Sequence, residues 1–181
     1  MMTSLSFSAY NKPGFEKHAY GLLIEPLHTK ILVMDFDDPD PKPIAFTKKL
    51  LLKREDINII DIVTSSFDVT GHPKGRHLYA GLATPQNLIS FYNLGIQGSC
   101  NGFNKLIVRK GEIVIRVSQK FENGKPIPGS EMRWEEGYTR IGADKWLKFT
   151  SEQLIAPLIS ADVHFFGKTN RGLNHTLRLR G

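Results

Sequence analysis

Cysteine is nearly absent from this chain: Cys100 stands alone among 181 residues, so no intrachain disulfide can form. A single thiol suits a reducing compartment such as the cytosol. Without activating charge beside it, Cys100 reads as a small packing residue. Long apolar runs are absent too. No stretch approaches the roughly 20 residues that a membrane-crossing helix needs, and Met1 to Tyr20 has neither the basic start nor the apolar block of a secretory leader. Neither a membrane span nor a leader is expected.

The signatures of catalysis are missing as well. The six histidines, His18, His28, His72, His77, His164 and His175, never fall at the His-x3-His spacing of a helical metal pair. There is no Gly-x-Ser-x-Gly elbow. "IQGSCNG", residues 96 to 102, lacks the glycine spacing and the Lys-Ser/Thr ending of a phosphate loop. The acidic "DDPDPKP", residues 37 to 43, lacks the glycine and distal Glu of a helix-loop-helix calcium site. Glu135 and Glu136 are adjacent, and neighbours in a strand point to opposite faces, so they cannot share a substrate. His72 and His77, with Lys74 and Arg76 to grip phosphate, leave a nuclease-like hydrolase as a third reading beside that of a solvated basic turn. No catalytic residue, cofactor or metal is expected.

What is present describes a folded basic domain. Forty per cent apolar and 23% charged residues are a globular balance, and the length fits one core. A formal charge of +6 favours polyanionic partners: nucleic acid, ribonucleoprotein or an acidic lipid surface.

Residues 1 to 20 read as a flexible N-terminal arm whose Phe7, Tyr10, Phe15 and Tyr20 can anchor on a surface. "KILVMDF", residues 30 to 36, is the first clear strand, followed by a proline-rich surface loop. Strands are expected on both sides of the charged "KRED", residues 53 to 56, and Lys48, Lys49, Lys53 and Arg54 form the densest early basic cluster. A helix is expected from Thr84 as N-cap, through Pro85, Leu88, Ile89 and Tyr92, to Gly95. "FNKLIVRKGEIVIRVSQKF", residues 103 to 121, alternates apolar and polar residues and predicts strands at about 103 to 108 and 112 to 119. Ile113, Ile115 and Val117 would form the core of the main sheet, with Lys105, Arg109, Lys110, Arg116 and Lys120 on a cationic face. "ENGKPIPG" reads as a turn, "EMRWEEGYTRIG" as another strand, and Trp134, Tyr138 and Trp146 as packing residues. Thr150 and Gln153 form a capping box for a short helix that Pro157 should end. The acid-free tail from about 167, with Lys168, Arg171, Arg178 and Arg180, is either a flexible basic arm or a last strand "HTLRLR".

Two of these stretches carry a family likeness. "RHLYAGLATPQNLISFYNLGIQGSC" resembles the part of rhabdovirus matrix proteins where a His-x-Tyr-x-Gly-x-Ala run leads into an apolar helix and a glycine-bearing loop. "FNKLIVRKGEIVIRVSQKF" resembles that family's Phe-Asn strand with a Lys-Gly step and an alternating apolar strand after it, here Phe103, Asn104, Lys110, Gly111 and Ile113. Order, separation and length agree with the small plant-infecting, cytorhabdovirus-like members. The N-terminal arm departs from the animal-infecting members in having neither a lysine-rich block nor a Pro-Pro-x-Tyr motif.

The resemblance implies a single α+β domain over residues 21 to 181, an antiparallel sheet packed with a few helices plus a smaller strand layer. It implies a non-enzymatic matrix protein that self-assembles, condenses the helical nucleocapsid and joins it to the inner face of the envelope. Partners would be further copies of the chain, the viral nucleocapsid, an anionic membrane surface and the envelope glycoprotein tail. The protein would lie beneath the envelope in the virion and on cytoplasmic membrane faces in the host. Charge and position make Lys48, Lys49, Lys53, Arg54, Lys105, Arg109, Lys110, Arg178 and Arg180 the candidates for lipid or nucleocapsid contact, and Phe7, Tyr10 and Phe15 those for self-assembly. The alternative, from a different class, is a sequence-independent RNA-binding accessory protein such as a silencing suppressor.

Overall fold

The computed structural model describes residues 20–116, 119–123 and 125–149, together with the strands 163–166 and 175–179. The chain opens with β1 (Tyr20–Ile24) and β2 (Thr29–Phe36), then α1 (Lys42–Leu52), β3 (Ile57–Phe67) and β4 (Pro73–Gln86). Two helices follow, α2 (Ile89–Leu94) and α3 (Asn101–Lys110), before β5 (Ile113–Arg116) and the small hairpin β6 (Phe121–Glu122) and β7 (Lys125–Pro126). β8 (Arg133–Gly142) and β9 (Lys145–Phe149) come next, and the last described strands are β10 (Val163–Phe166) and β11 (His175–Leu179).

The expected α+β class is what the structure has. The main sheet is antiparallel, in the order β2-β4-β3-β8-β9. A second sheet runs β10-β11-β1-β5; it is mixed, because β1 lies parallel to β11 while its other pairings are antiparallel. Of the two readings of the tail, the structure has the strand.

β3 and β4 are neighbouring interior strands, and consecutive residues are buried over most of β3 and through the middle of β4, residues 77–82. That explains the near-continuous Ile and Val content of β3, since a strand covered on two sides has no solvated row to keep polar. One row of the sheet runs Leu32, Ala80, Ile60, Tyr138, Lys148 and lies on the α1 side, where Lys48 reaches Glu136 and the Tyr138 ring. The next row, Val33, Tyr79, Asp61, Gly137, lies on the opposite side. Ile24, Ile113 and Ile115 of the smaller sheet join the same core. Each Ile or Leu fully buried there contributes roughly 1.5–3 kcal/mol.

Four expectations are corrected. The segment before "KRED" is a helix: Pro41 caps α1 and Pro43 stands in its first turn, and Ile44, Thr47 and Leu51, three and four apart, form its buried face. Its Lys, Leu and Ala content favours helix, whereas the contiguous Leu50–Leu52 run imitates a strand. Residues 103 to 108 are also helical, because the buried positions are Phe103, Asn104 and Ile107 rather than every second residue. Gly111 closes α3 at φ +69°, and its amide donates to the Ile107 carbonyl. The helix expected from Thr84 begins only at Ile89; Thr84 and Pro85 belong to the end of β4. Ile113 and Ile115 are buried as expected, but in the smaller sheet rather than the main one. Val117 and the Thr150–Gln153 box lie outside the described residues.

The outer edge of β2 is sealed by the α2–α3 segment. Tyr92 of α2 turns its hydroxyl to the strand, accepting from the Val33 amide at 3.2 Å and donating to the Val33 carbonyl at 2.9 Å. Two residues along, the Cys100 amide donates to the Asp35 carbonyl at 2.6 Å. An edge strand left open would be a template for mispairing.

Candidate functional site

Two arrangements gather charged side chains, one on the surface and one inside. On the surface, the basic cluster of α1 splits by function. Lys48 is half-buried and donates to Glu136 at 2.6 Å, with its ammonium 5.2 Å from the Tyr138 ring centre. Although burial opposes its charge, the Glu136 carboxylate outweighs this and holds the Lys48 pKa above the ordinary lysine value. Arg54 forks onto Asp56 at 2.8 and 2.6 Å, and that bond pulls the Asp56 carboxyl down to about 2. Both cations are engaged within the chain. Lys49 and Lys53 are exposed and form no ion pair with a described residue.

Lys105, Arg109 and Lys110 share the exposed side of α3, away from Phe103, Asn104 and Ile107. No acidic residue occurs in α3, and Arg109 and Lys110 sit in its last turn, where cations favour the helix dipole. Gly98, in the loop leading to α3, lies against Pro43 of α1. Sequence reasoning placed these cations on a strand; the helix keeps them together but removes Arg116 from their company.

Arg116 is the largest surprise among the basic residues. Expected on the solvated face, it is largely buried, donating to the Ser130 carbonyl at 2.7 Å and to the Ser65 carbonyl. It thereby ties β5 to the end of β3 and to the loop before β8. Burial lowers its pKa, while Tyr79, Asp35 and Glu131 support its charge.

Around it lies a buried polar cluster that the sequence did not announce. His77 is 6% exposed; its Nδ1 lies 3.0 Å from the Tyr79 hydroxyl and its Nε2 3.6 Å from Asp35. Burial, helped by the Arg116 charge, lowers the His77 pKa to about 3, so the ring is neutral. Burial first, and the Asp37 charge second, raise the Asp35 carboxyl to about 6. The residues are about forty positions apart from Asp35 to His77 and again to Arg116, and only the pairing of β2 with β4 brings the first two side by side.

This geometry separates the pair on which a hydrolase reading would depend. His72 is exposed in the turn before β4 and bonds to Thr70, while His77 is enclosed beneath the sheet. Glu135 and Glu136 point apart as expected: Glu135 accepts from Arg76 at 2.9 Å and from Thr64, Glu136 from Lys48.

Asp35, Asp37 and Cys100 bring two carboxylates and a thiol within 4.8 Å of one another. Burial, and the hydrogen bond to Asp37, raise the Cys100 pKa, so the thiol keeps its proton at neutral pH. That is the opposite of the activated environment a thiolate ligand or nucleophile needs.

Arg178 lies on β11, but its side chain is outside the described residues, as are Arg180, Phe7, Tyr10 and Phe15. No family model, curated protein or solved structure matches the chain. Among the described residues no helix is long and apolar enough to cross a membrane.

Proposed function

We propose that the protein is a non-enzymatic matrix-type scaffold, as its likeness to the rhabdovirus matrix family implies. It self-assembles and uses basic helix surfaces to hold anionic partners, ribonucleoprotein on one side and the inner leaflet of an envelope on the other. The observation that supports this reading is the sorting of its cations. Those that the fold uses for itself, Lys48, Arg54 and Arg116, are bound to carboxylates or carbonyls, whereas Lys49, Lys53, Lys105, Arg109 and Lys110 stand on α1 and α3 without a described acidic partner.

Unpaired basic surface of this kind attracts an acidic leaflet by about 1 kcal/mol per Lys or Arg. The contacts are weak singly and strong in an array, because assembly makes them simultaneous. The protein's place would then be the virion interior beneath the envelope, and cytoplasmic membrane faces before budding.

The test is co-sedimentation with phosphatidylserine-containing vesicles and electron microscopy at falling salt, beside binding of a short single-stranded RNA. The matrix reading expects vesicle binding and filaments or sheets. Tight RNA binding with neither vesicle binding nor assembly would replace it with the RNA-binding alternative.

A further inference from the structure

α1 has a solvent side unlike that of any other described element. Lys42, Phe46, Lys49 and Leu50 of α1, with Lys53 at its C-cap still in right-handed helical conformation, fall at positions i, i+4, i+7, i+8 and i+11, which at 3.6 residues per turn place all five on one side. All are exposed, Phe46 by 53% and Leu50 by 47%. The other large exposed apolar side chains, Leu27, Val69, Leu94, Ile141 and Leu147, do not share a helix with one another. Thus one helix face pairs two large apolar groups, one turn apart, with three lysines bordering them.

We infer that this face of α1 is a membrane-seating surface, inserting Phe46 and Leu50 among lipid tails at the level of the headgroups while Lys42, Lys49 and Lys53 meet anionic lipid. The inference rests on the matrix reading above and names the side of the molecule that faces the envelope. Charge complementarity selects the occupant: α1 contains no Asp or Glu, and its three exposed lysines form no ion pair with a described residue. The nearest acid at its N-terminal end, Asp40, is occupied in accepting from the Lys42 amide at 3.0 Å.

The apolar pair decides between two polyanions. A nucleic-acid surface rewards cations and flat rings, and Phe46 alone would suit it. Leu50 has no ring to stack and gains nothing from phosphates, whereas a leaflet interface rewards both side chains. The basic helix α3 carries no large exposed apolar residue and lacks this pairing. The opposite side of α1 is fixed to the sheet through Ile44, Thr47 and Leu51, and through the Trp146 indole donating to the Leu52 carbonyl at 3.0 Å. The helix is therefore held rigidly with this face outward, ready to meet a surface without rearranging.

The experiment is flotation of the full chain with phosphatidylcholine vesicles, with and without phosphatidylserine, at low and raised salt. Three variants are compared with the parent: Phe46→Ser with Leu50→Ser, the three α1 lysines changed to Gln, and Lys105, Arg109 and Lys110 changed to Gln. A thermal melt confirms that each is folded, as expected for exposed positions. About fivefold in partitioning per lysine gives a loss of about a hundredfold for the α1 triple change at low salt. The Ser pair should lose about tenfold and should also remove the fraction of binding that survives raised salt. The α3 variant should bind vesicles nearly as the parent does.

If the α3 variant loses vesicle binding and both α1 variants keep it, the assignment to α1 is overturned while the matrix reading stands. If the parent binds no vesicle of either kind, both fall. If the α1 variants lose single-stranded RNA and keep vesicles, the face belongs to nucleic acid and the inference is refuted.

Discussion

Replacing Arg116 by Met keeps most of the side-chain length while removing every donor. Two carbonyls, of Ser65 and Ser130, then lose a charged partner inside the protein. Bonds from charged donors are worth about 1.5–3 kcal/mol each, and breaking a buried charge interaction by deleting one side costs about 3–5 kcal/mol. The expected loss at pH 7 is therefore about 3–5 kcal/mol, or a fall of about 6–20 °C in Tm for a chain of this length. The pH dependence provides a sharper check. Burial and Asp37 raise the Asp35 carboxyl to about 6 in the fold, and Arg116 opposes them. Its folded value lies above the unfolded one, so what Asp35 adds to stability is present below about 3.8 and is lost as pH rises through about 6. Without Arg116 that carboxyl is harder still to ionise. At pH 7 the variant must either ionise Asp35 without its cation or take up a proton there, and both cost stability, whereas at pH 5 the carboxyl is already protonated and needs no cation. Removing Arg116 also eases protonation of His77, which it disfavours, and this too reduces the loss in acid. Urea unfolding followed by circular dichroism should show a clearly larger loss at pH 7 than at pH 5. A loss below about 1 kcal/mol at pH 7, or equal losses at both pH values, would refute the role given to Arg116.

Burial holds His77 neutral, with a pKa of about 3 against 6.5 ordinarily, so its contribution is complete above about 6.5 and is lost as pH falls toward 3. Asp35 works the other way between about 6 and 3.8, so the His77 share is read as a difference: the stability of the parent minus that of His77→Gln should fall as pH drops from about 6.5 toward 3, and a difference that does not change with pH would contradict the assignment. Lys48→Ala should destabilise by about 1–2 kcal/mol and Lys49→Ala by less than about 0.5, since of these two lysines Lys48 alone reaches Glu136, and a double-mutant cycle with Glu136→Ala checks the coupling. Gly98 has φ +85°, and a Cβ there would lie 2.2 Å from that of Pro43, so Gly98→Ala should cost about 2–4 kcal/mol in chemical denaturation. Gly71→Ala, at φ +84° with open space around it, should cost only about 1–2 kcal/mol.

The strands with consistent chemistry were legible in the sequence: "KILVMDF" and "EMRWEEGYTRIG" are β2 and β8, and the β-branched residues after "KRED" are β3. The helices were harder to read because their apolar residues imitate the period of a strand. In "FNKLIVRK" the alternation is superficial: Phe103 and Ile107 are one turn apart, and the Gly111 cap after two cations was the signal that should have decided it. In α1, the Leu50–Leu52 run concealed the spacing of Ile44, Thr47 and Leu51. The basic side chains were findable, but their availability was not. Nothing local distinguishes Lys48 from Lys49; the difference is Glu136, 88 residues away on β8. The same holds for the buried cluster, since Asp35 and His77 meet only through the pairing of β2 with β4, and Arg116 reaches them from β5 of the other sheet.

The phenol of Tyr92 gives the main sheet a direction of growth. With the outer backbone of Val33 occupied by that hydroxyl, and Asp35 by the Cys100 amide, a strand from another molecule finds no vacant ladder along β2. β9 is the opposite border of the sheet. Two copies meeting through β9 alone would pair about a twofold axis and stop as a closed dimer as far as the main sheet is concerned, because neither main sheet would retain a second open edge to offer. Strand addition on the main sheet can therefore supply at most one kind of joint in a filament or lattice, and a second surface, distinct from β9, must supply the other.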